Sequence, residues 1–205
     1  MSLINAYTSK RFLILDDLPE MRSSLRSQIG SLGCDNVTVS GTVKEALERF
    51  RDERFDVILC DYYLAGGTDG QQFLEYLRTR NLIGRGALFI MVTAEKNYES
   101  VVTAAECLPD DYLLKPFTAE ILKIRLERLL EKKQRLVKVD QLQDRGDWAG
   151  VIRVCEEIIA SRDRYLVDAM RIKGNALLMA GQAEKAVVFY EQTLTMRPMP
   201  WARLG

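Results

Sequence analysis

Asp16, Asp17, Asp61, Thr93 and Lys115 are residue types that could do chemistry together, and each follows or closes a short apolar run. Asp16-Asp17 follows FLIL, Asp61 follows FDVILC, Thr93 follows ALFIMV, and Lys115 closes DYLLK. Three carboxylates in one place repel one another, so at least one would hold a proton more tightly unless a cation intervened. A hard divalent ion such as Mg²⁺ answers that need, because it takes oxygen ligands and keeps several waters. A hydroxyl and an ammonium beside it suit the oxygens of a phosphoryl group in transfer. A carboxylate can also be the nucleophile, giving an aspartyl phosphate. Asp61, on a central run with partners on either side, is the natural candidate.

The elements that must position these residues alternate in period along the first two thirds of the chain. RFLILD (11–16), NVTVS (36–40), FDVILC (55–60), ALFIMV (87–92) and DYLLK (111–115) read as five strands. Helical spacing falls between them, over Leu18–Leu32, from a Thr42 cap through Glu53, over Gly70–Asn81 and over Lys96–Cys107. A last helix begins at Thr118. Glu45, three residues after Thr42, would complete a capping box. Strands alternating with helices predict a doubly wound parallel sheet covered on both faces. Ligands of such folds collect outside the carboxyl ends of the strands. That edge would carry all five residues, with Ser40 as a neutral bystander.

Composition narrows the function classes. The 205 residues are 47% apolar and carry 29 basic against 29 acidic residues. That balance argues against a dedicated nucleic-acid or membrane-surface protein. There is no histidine, which excludes His-based metal sites, His general bases and Ser-His-Asp triads. Cys34, Cys60, Cys107 and Cys155 are scattered with no CxxC pair, as expected of buried thiols in a reducing compartment. No stretch approaches a membrane span, and the first apolar run, Phe12–Leu15, is four residues long. A cytoplasmic protein is expected. The opening Met-Ser-Leu reads as an expression leader and not as a signal peptide.

The pieces LILDD, DVILCD, MVTA and DDYLLKPF resemble the receiver domain of bacterial response regulators, the CheY-like family, over roughly Arg11 to Leu130. The resemblance implies a five-stranded parallel sheet in the order 2-1-3-4-5. It implies Asp61 as phospho-acceptor, supplied by a separate histidine kinase or phosphotransfer protein. Mg²⁺ would be held by Asp17, Asp61 and the backbone carbonyl of Tyr63, with Asp16 assisting. Thr93 and Lys115 would bind phosphoryl oxygens, and Thr93 with Tyr112 would form the switch. Pro116 would follow a cis bond. The face of the fourth helix, fifth strand and fifth helix, around Tyr112, could pair two receivers. Such a domain accepts phosphate and loses it by hydrolysis, and is otherwise not an enzyme. Two pieces depart from the family. The loop DYYLAGGTDG after the acceptor is one residue longer and lacks a proline, its Gly66 and Gly67 favouring mobility. LPDDY replaces the common GADDY.

Residues 1–130 are thus expected to be the receiver and 131–205 an all-α, TPR-like extension. Thr118–Gln143 has no Pro or Gly, and its apolar spacing supports one continuous helix. A coiled coil is an alternative, although Lys133 and Asp140 fall on its seam. GDWAGVIRVCEEII from Gly146 and GQAEKAVVFYEQTL from Gly181 lie 35 residues apart, close to the TPR period. Gly174, Leu177, Gly181, Ala186, Tyr190 and Pro198 occupy small, large and helix-ending positions, with Val151 and Cys155 matching in the first unit. Trp201–Gly205 reads as a third unit cut short, so a longer parent protein is expected. The expected output is binding of a protein or peptide. A helical bundle, a DNA-binding helical output and a scaffold with a silent receiver are the alternatives. A haloacid-dehalogenase-type phosphatase also uses Asp, Thr, Lys and Mg²⁺, but its D-x-D would need an Asp where Leu18 stands.

Overall fold

The computed structural model describes residues 7–65, 67–94 and 108–196. The expected helix Lys96–Cys107, Gly66, the opening Met-Ser-Leu, Pro198 and the ending at Trp201–Gly205 lie outside those residues. The chain divides into two compact units, Met1–Lys133 and Gln134–Gly205.

In the first unit β1 (Phe12–Leu15), β2 (Val37–Ser40), β3 (Val57–Asp61), β4 (Leu88–Thr93) and β5 (Asp111–Leu114) form one sheet in the order β2-β1-β3-β4-β5. Every neighbouring pair is parallel. The helices are α1 (Pro19–Ser31), α2 (Val43–Asp52), α3 (Gly70–Thr79) and α4 (Ala119–Asp144).

The pleat sorts the apolar residues into two layers. Phe12, Ile14, Val57, Leu59, Leu88, Ile90 and Val92 share one cluster with Leu25 and Ile29 of α1 and Leu122, Leu126 and Leu129 of α4. Leu13, Leu15, Ile58, Cys60, Phe89 and Met91 share another with Phe50 of α2 and Phe73, Leu74 and Leu77 of α3. Both faces of β1, β3 and β4 are therefore covered, which is why those strands are continuously apolar. Each fully buried Leu, Ile or Phe contributes about 1.5–3 kcal/mol relative to an exposed one.

The helix ends follow local chemistry. Pro19 opens α1, where its missing N–H is no loss. Thr42 caps α2 by accepting from the Glu45 N–H at 3.2 Å. The Glu45 carboxylate accepts from the Gly41 N–H at 2.8 Å, so the reciprocal half of the expected capping box is displaced by one residue. The complete box lies at α3. There Asp69 accepts from Gln72 N at 2.8 Å, and the Gln72 amide oxygen accepts from Asp69 N at 3.3 Å.

The expected long helix is one element, α4, of 26 residues. Leu122, Leu126, Leu129 and Leu130 are buried in the first unit, and Leu136 and Val139 in the core of the second. Residues 131–135 between them are exposed or half-buried. Within the first unit α4 is tied to the start of β5, Arg128 to Asp111 at 2.8 Å and Lys133 to Asp110 at 2.9 Å.

The second unit holds the end of α4, then α5 (Trp148–Ala160), α6 (Leu166–Met179) and α7 (Ala183–Met196). Two of its turns are copies 35 residues apart. Asp147 N donates to Leu142 O and Gly146 N to Gln143 O, while Gln182 N donates to Leu177 O and Gly181 N to Leu178 O, all at 2.9–3.0 Å. Gly146 (φ 68°) and Gly181 (φ 71°) occupy the left-handed position this closure requires. In the second hairpin, a Cβ on Gly174 would lie 2.6 Å from the Tyr190 ring. The residues 35 positions earlier, Val139 and Cys155, are fully buried in one cluster. One hairpin sets nothing against a large ring, and the other sets two mid-sized side chains together.

The same closure ends α5 with Arg162 at φ 51°, Arg162 N donating to Ile159 O and Asp163 N to Ile158 O. A left-handed Arg pays a Cβ penalty that Gly does not. Exposed Arg162→Gly is expected to stabilise the second unit by about 0.5–1 kcal/mol, read as a higher urea midpoint by tryptophan fluorescence. An unchanged or lower midpoint would contradict this.

Cys34, Cys60 and Cys155 are buried free thiols. Burial pushes Cys34 and Cys155 up to about 11, so both stay protonated near neutrality. Cys107 lies outside the described residues. Among the described residues no helix is long and apolar enough to cross a membrane.

Candidate functional site

Parallel register brings the strand ends flush. Leu15 pairs with Ser40 and Cys60, Asp61 with Val92, and Thr93 with Leu114. Lys115 N donates to Thr93 O at 2.7 Å, which draws the residue after β5 against the end of β4. The Lys115–Pro116 bond is cis, as expected.

Lys115 joins the acidic residues directly. Its Nζ donates to Asp16 Oδ2 and to Asp61 Oδ2, both at 2.8 Å. Asp16 is fully buried, and its other oxygen accepts from Leu18 N at 2.9 Å. One carboxylate oxygen of each of Asp16, Asp17 and Asp61 lies within 4.8 Å of the others. Asp17 is half-buried, and its carboxylate has no partner among the described residues. Burial pushes the Asp61 carboxyl up, with the neighbouring Asp16 adding to it. The Lys115 ammonium and the Tyr63 backbone N–H pull it back, without cancelling the rise. Burial works against the Lys115 ammonium too, but its bonds to Asp16 and Asp61 outweigh that and leave it raised.

Thr93 is buried at the end of β4. Tyr112 is half-buried and packs against the α2/α3-side core. Tyr63 is exposed, its ring edge-on to Tyr62 at 4.9 Å. Ser40 is buried at the end of β2, and its hydroxyl meets no partner among the described residues.

Three carboxylates against one ammonium leave the cluster about two charges negative, and all its donors are oxygens. That is a fit for a hard divalent cation. Asp17, Asp61 and Asp16 would hold it, and the chemistry it would supply is positive charge against phosphoryl oxygens.

Two residues that shape the site carry no signal of their own in the sequence. Gly70, first in α3, lets that helix approach the acceptor strand. A Cβ there would lie 2.5 Å from Asp61 O and 2.6 Å from Met91 Sδ, and Gly70 N donates to Tyr62 O at 2.8 Å. Gly70→Ala is expected to cost about 1–3 kcal/mol of stability, measured by urea unfolding in far-UV circular dichroism. A midpoint equal to that of the unmodified chain would show that α3 yields without strain. The other residue is Arg22, which reaches back from α1 to the Asp16-Asp17 backbone.

Residues 12–127 match the family model of the response regulator receiver domain. The chain belongs to that family. The receiver is 30% identical over 122 residues to the chemotaxis protein CheY of Pseudomonas aeruginosa, spanning 60% of this chain and 97% of that protein. It is 29% identical to CheY-3 of Vibrio cholerae, spanning 60% and 92%. Among solved structures it is similar to a Francisella response regulator receiver domain, with TM-score 0.52 and 28% identity over 61% of this chain and 99% of that one. It is likewise similar to a CheY-like receiver domain protein from Methanospirillum hungatei, with TM-score 0.52 and 27% identity over 62% and 97%. The receiver fold in the order 2-1-3-4-5 is therefore both observed and shared.

Proposed function

We propose that the chain is a two-component response regulator in which Asp61 accepts a phosphoryl group from a histidine kinase or phosphotransfer protein. The observation that carries this reading is the bridge Asp16–Lys115–Asp61 at the carboxyl edge of the sheet. A carboxylate oxygen of Asp61 attacks phosphorus, the P–N bond of the donor phosphohistidine breaks, and the imidazole leaves with a proton taken from water. The product is an acyl phosphate, which water later hydrolyses back to the carboxylate. Lys115 sits where it can follow the charge from carboxylate to phosphoryl oxygens, and Thr93 offers a hydroxyl to the same oxygens. Asp17, Asp61 and the Tyr63 backbone carbonyl, with Asp16 assisting, would hold Mg²⁺. Thr93 and Tyr112 form the switch. The chain works in the cytoplasm and turns over no other substrate.

Intact-mass spectrometry after incubation with acetyl phosphate tests this. One phosphoryl adduct with Mg²⁺, absent when EDTA is added, is the expected result. No adduct, with Mg²⁺ binding shown separately, would make the receiver a silent scaffold.

The second unit is the output, a TPR-like surface for a protein or peptide. Its support is the repeated closure at Gly146 and Gly181 together with the Gly174–Tyr190 packing. The uninterrupted α4 carries the signal from the Tyr112 region. Amide exchange over residues 134–196 is expected to change on phosphoryl mimicry, and indifference would remove this step.

A further inference from the structure

We propose that Arg22 is a positioning residue for the metal site, acting by holding the backbone of Asp16 and Asp17 so that the Asp17 carboxylate stays open to a cation. The inference rests on the Mg²⁺-dependent reading above.

Arg22 Nη1 donates to Asp16 O at 2.7 Å and to Asp17 O at 3.0 Å. One nitrogen thus pins two successive carbonyls of the loop between β1 and α1. Both bonds run to main-chain carbonyls and not to a carboxylate, so the Asp17 side chain keeps its oxygens without a hydrogen-bond partner among the described residues. Arg22 lies in the first turns of α1, where the helix dipole disfavours a cation. Its placement there is explained by the loop it holds. No side chain caps this helix end, and Asp16 and Asp17 are held by Arg22, by the Leu18 N–H to Asp16 bond and by Asp16 N donating to Ser40 O at 3.3 Å.

A second element is shaped around the same guanidinium. A Cβ on Gly41, in the loop after β2, would lie 3.1 Å from Arg22 Nη1, 3.3 Å from Cζ and 3.5 Å from Nη2. The Gly41 N–H is taken by the Glu45 carboxylate at 2.8 Å. Gly41 leaves room for Arg22 to lie flat against the loop.

Charge and position predict opposite signs, which makes the inference testable. Arg22 adds a positive charge near a site for a cation. If that charge were its only influence, its removal would tighten Mg²⁺ binding. If Arg22 positions Asp17, its removal weakens binding, and loss of a group that orients a metal ligand typically costs ~10-fold or more in affinity.

The experiment is calorimetric titration of Mg²⁺ into the full chain as the unmodified protein, Arg22→Ala, Arg22→Lys and Gly41→Val, with far-UV circular dichroism on each to confirm folding. The expected result is dissociation constants raised ~10-fold in Arg22→Ala and raised in Gly41→Val, with partial recovery in Arg22→Lys. Unchanged or tighter binding in Arg22→Ala would overturn the inference while leaving the receiver reading intact. Absence of Mg²⁺ binding by the unmodified chain would overturn both. Should Arg22→Ala fail to fold, Gly41→Val and Arg22→Lys decide it, and unchanged affinity in both would overturn it.

Discussion

Lys115→Met is expected to lose about 3 kcal/mol of stability in Mg²⁺-free buffer, and about 100-fold or more of the rate of phosphoryl uptake. The Lys115 side chain is 14% exposed, and it faces Asp16 at 1% and Asp61 at 12%. At that burial the pair is shielded from water, so removing one partner leaves charge that solvent cannot take over. Asp16 would keep only the Leu18 N–H on its other oxygen. The three carboxylates would then repel one another without an internal cation. Saturating Mg²⁺ should return part of the stability, because a dication at the cluster replaces the lost charge, but not the phosphorylation rate. Urea unfolding by far-UV circular dichroism, with and without Mg²⁺, measures the first effect. A stability loss of equal size in both buffers would mean that Lys115 and the metal do not share the cluster.

Gly174→Val is expected to destabilise the second unit by about 1–3 kcal/mol. The Cβ would meet three atoms of the Tyr190 side chain at 2.6–2.7 Å, and Tyr190 is itself buried between its helix and α6. The ring has to move, and α6 and α7 separate with it. The first hairpin shows the alternative solution, with Val139 and Cys155 at the equivalent places. Gly174→Val combined with Tyr190→Cys copies that pair and should be more stable than Gly174→Val alone. Both tryptophans of the chain, Trp148 and Trp201, fall after residue 134, so fluorescence-detected urea unfolding follows this unit. A double variant no better than the sum of its singles would show no coupling between the two positions.

The sheet could be read before it was seen because β1, β3 and β4 are buried on both faces and so lack polar interruptions. Asp16, Asp61 and Thr93 were legible for the same reason, since a polar residue closing such a run marks the carboxyl edge, whereas Lys115 follows the partly exposed β5 and was legible through the piece DDYLLKPF. Arg22 was not legible. Its bonds run to carbonyl oxygens five and six residues back, and backbone acceptors have no residue type to search for. Gly41 and Gly70 matter through the space they leave, which only the packed structure reveals. The Asp69–Gln72 box was written in TDGQQ and is a readable signal. The Thr42–Glu45 box was readable too, yet Glu45 chose the neighbouring N–H of Gly41, a difference of one residue that sequence spacing does not resolve. The period of 35 was visible in the chain, and the paired closures at Gly146 and Gly181 give it a physical basis in two identical helix ends.

The measurement that bears most directly on the central claim is intact-mass spectrometry of the unmodified chain and Asp61→Asn after treatment with acetyl phosphate and Mg²⁺, followed by hydroxylamine. A single phosphoryl adduct in the unmodified chain, removed by hydroxylamine as an acyl phosphate and absent in Asp61→Asn, is the predicted result. An adduct that survives hydroxylamine, or that Asp61→Asn still acquires, would contradict Asp61 as the acceptor.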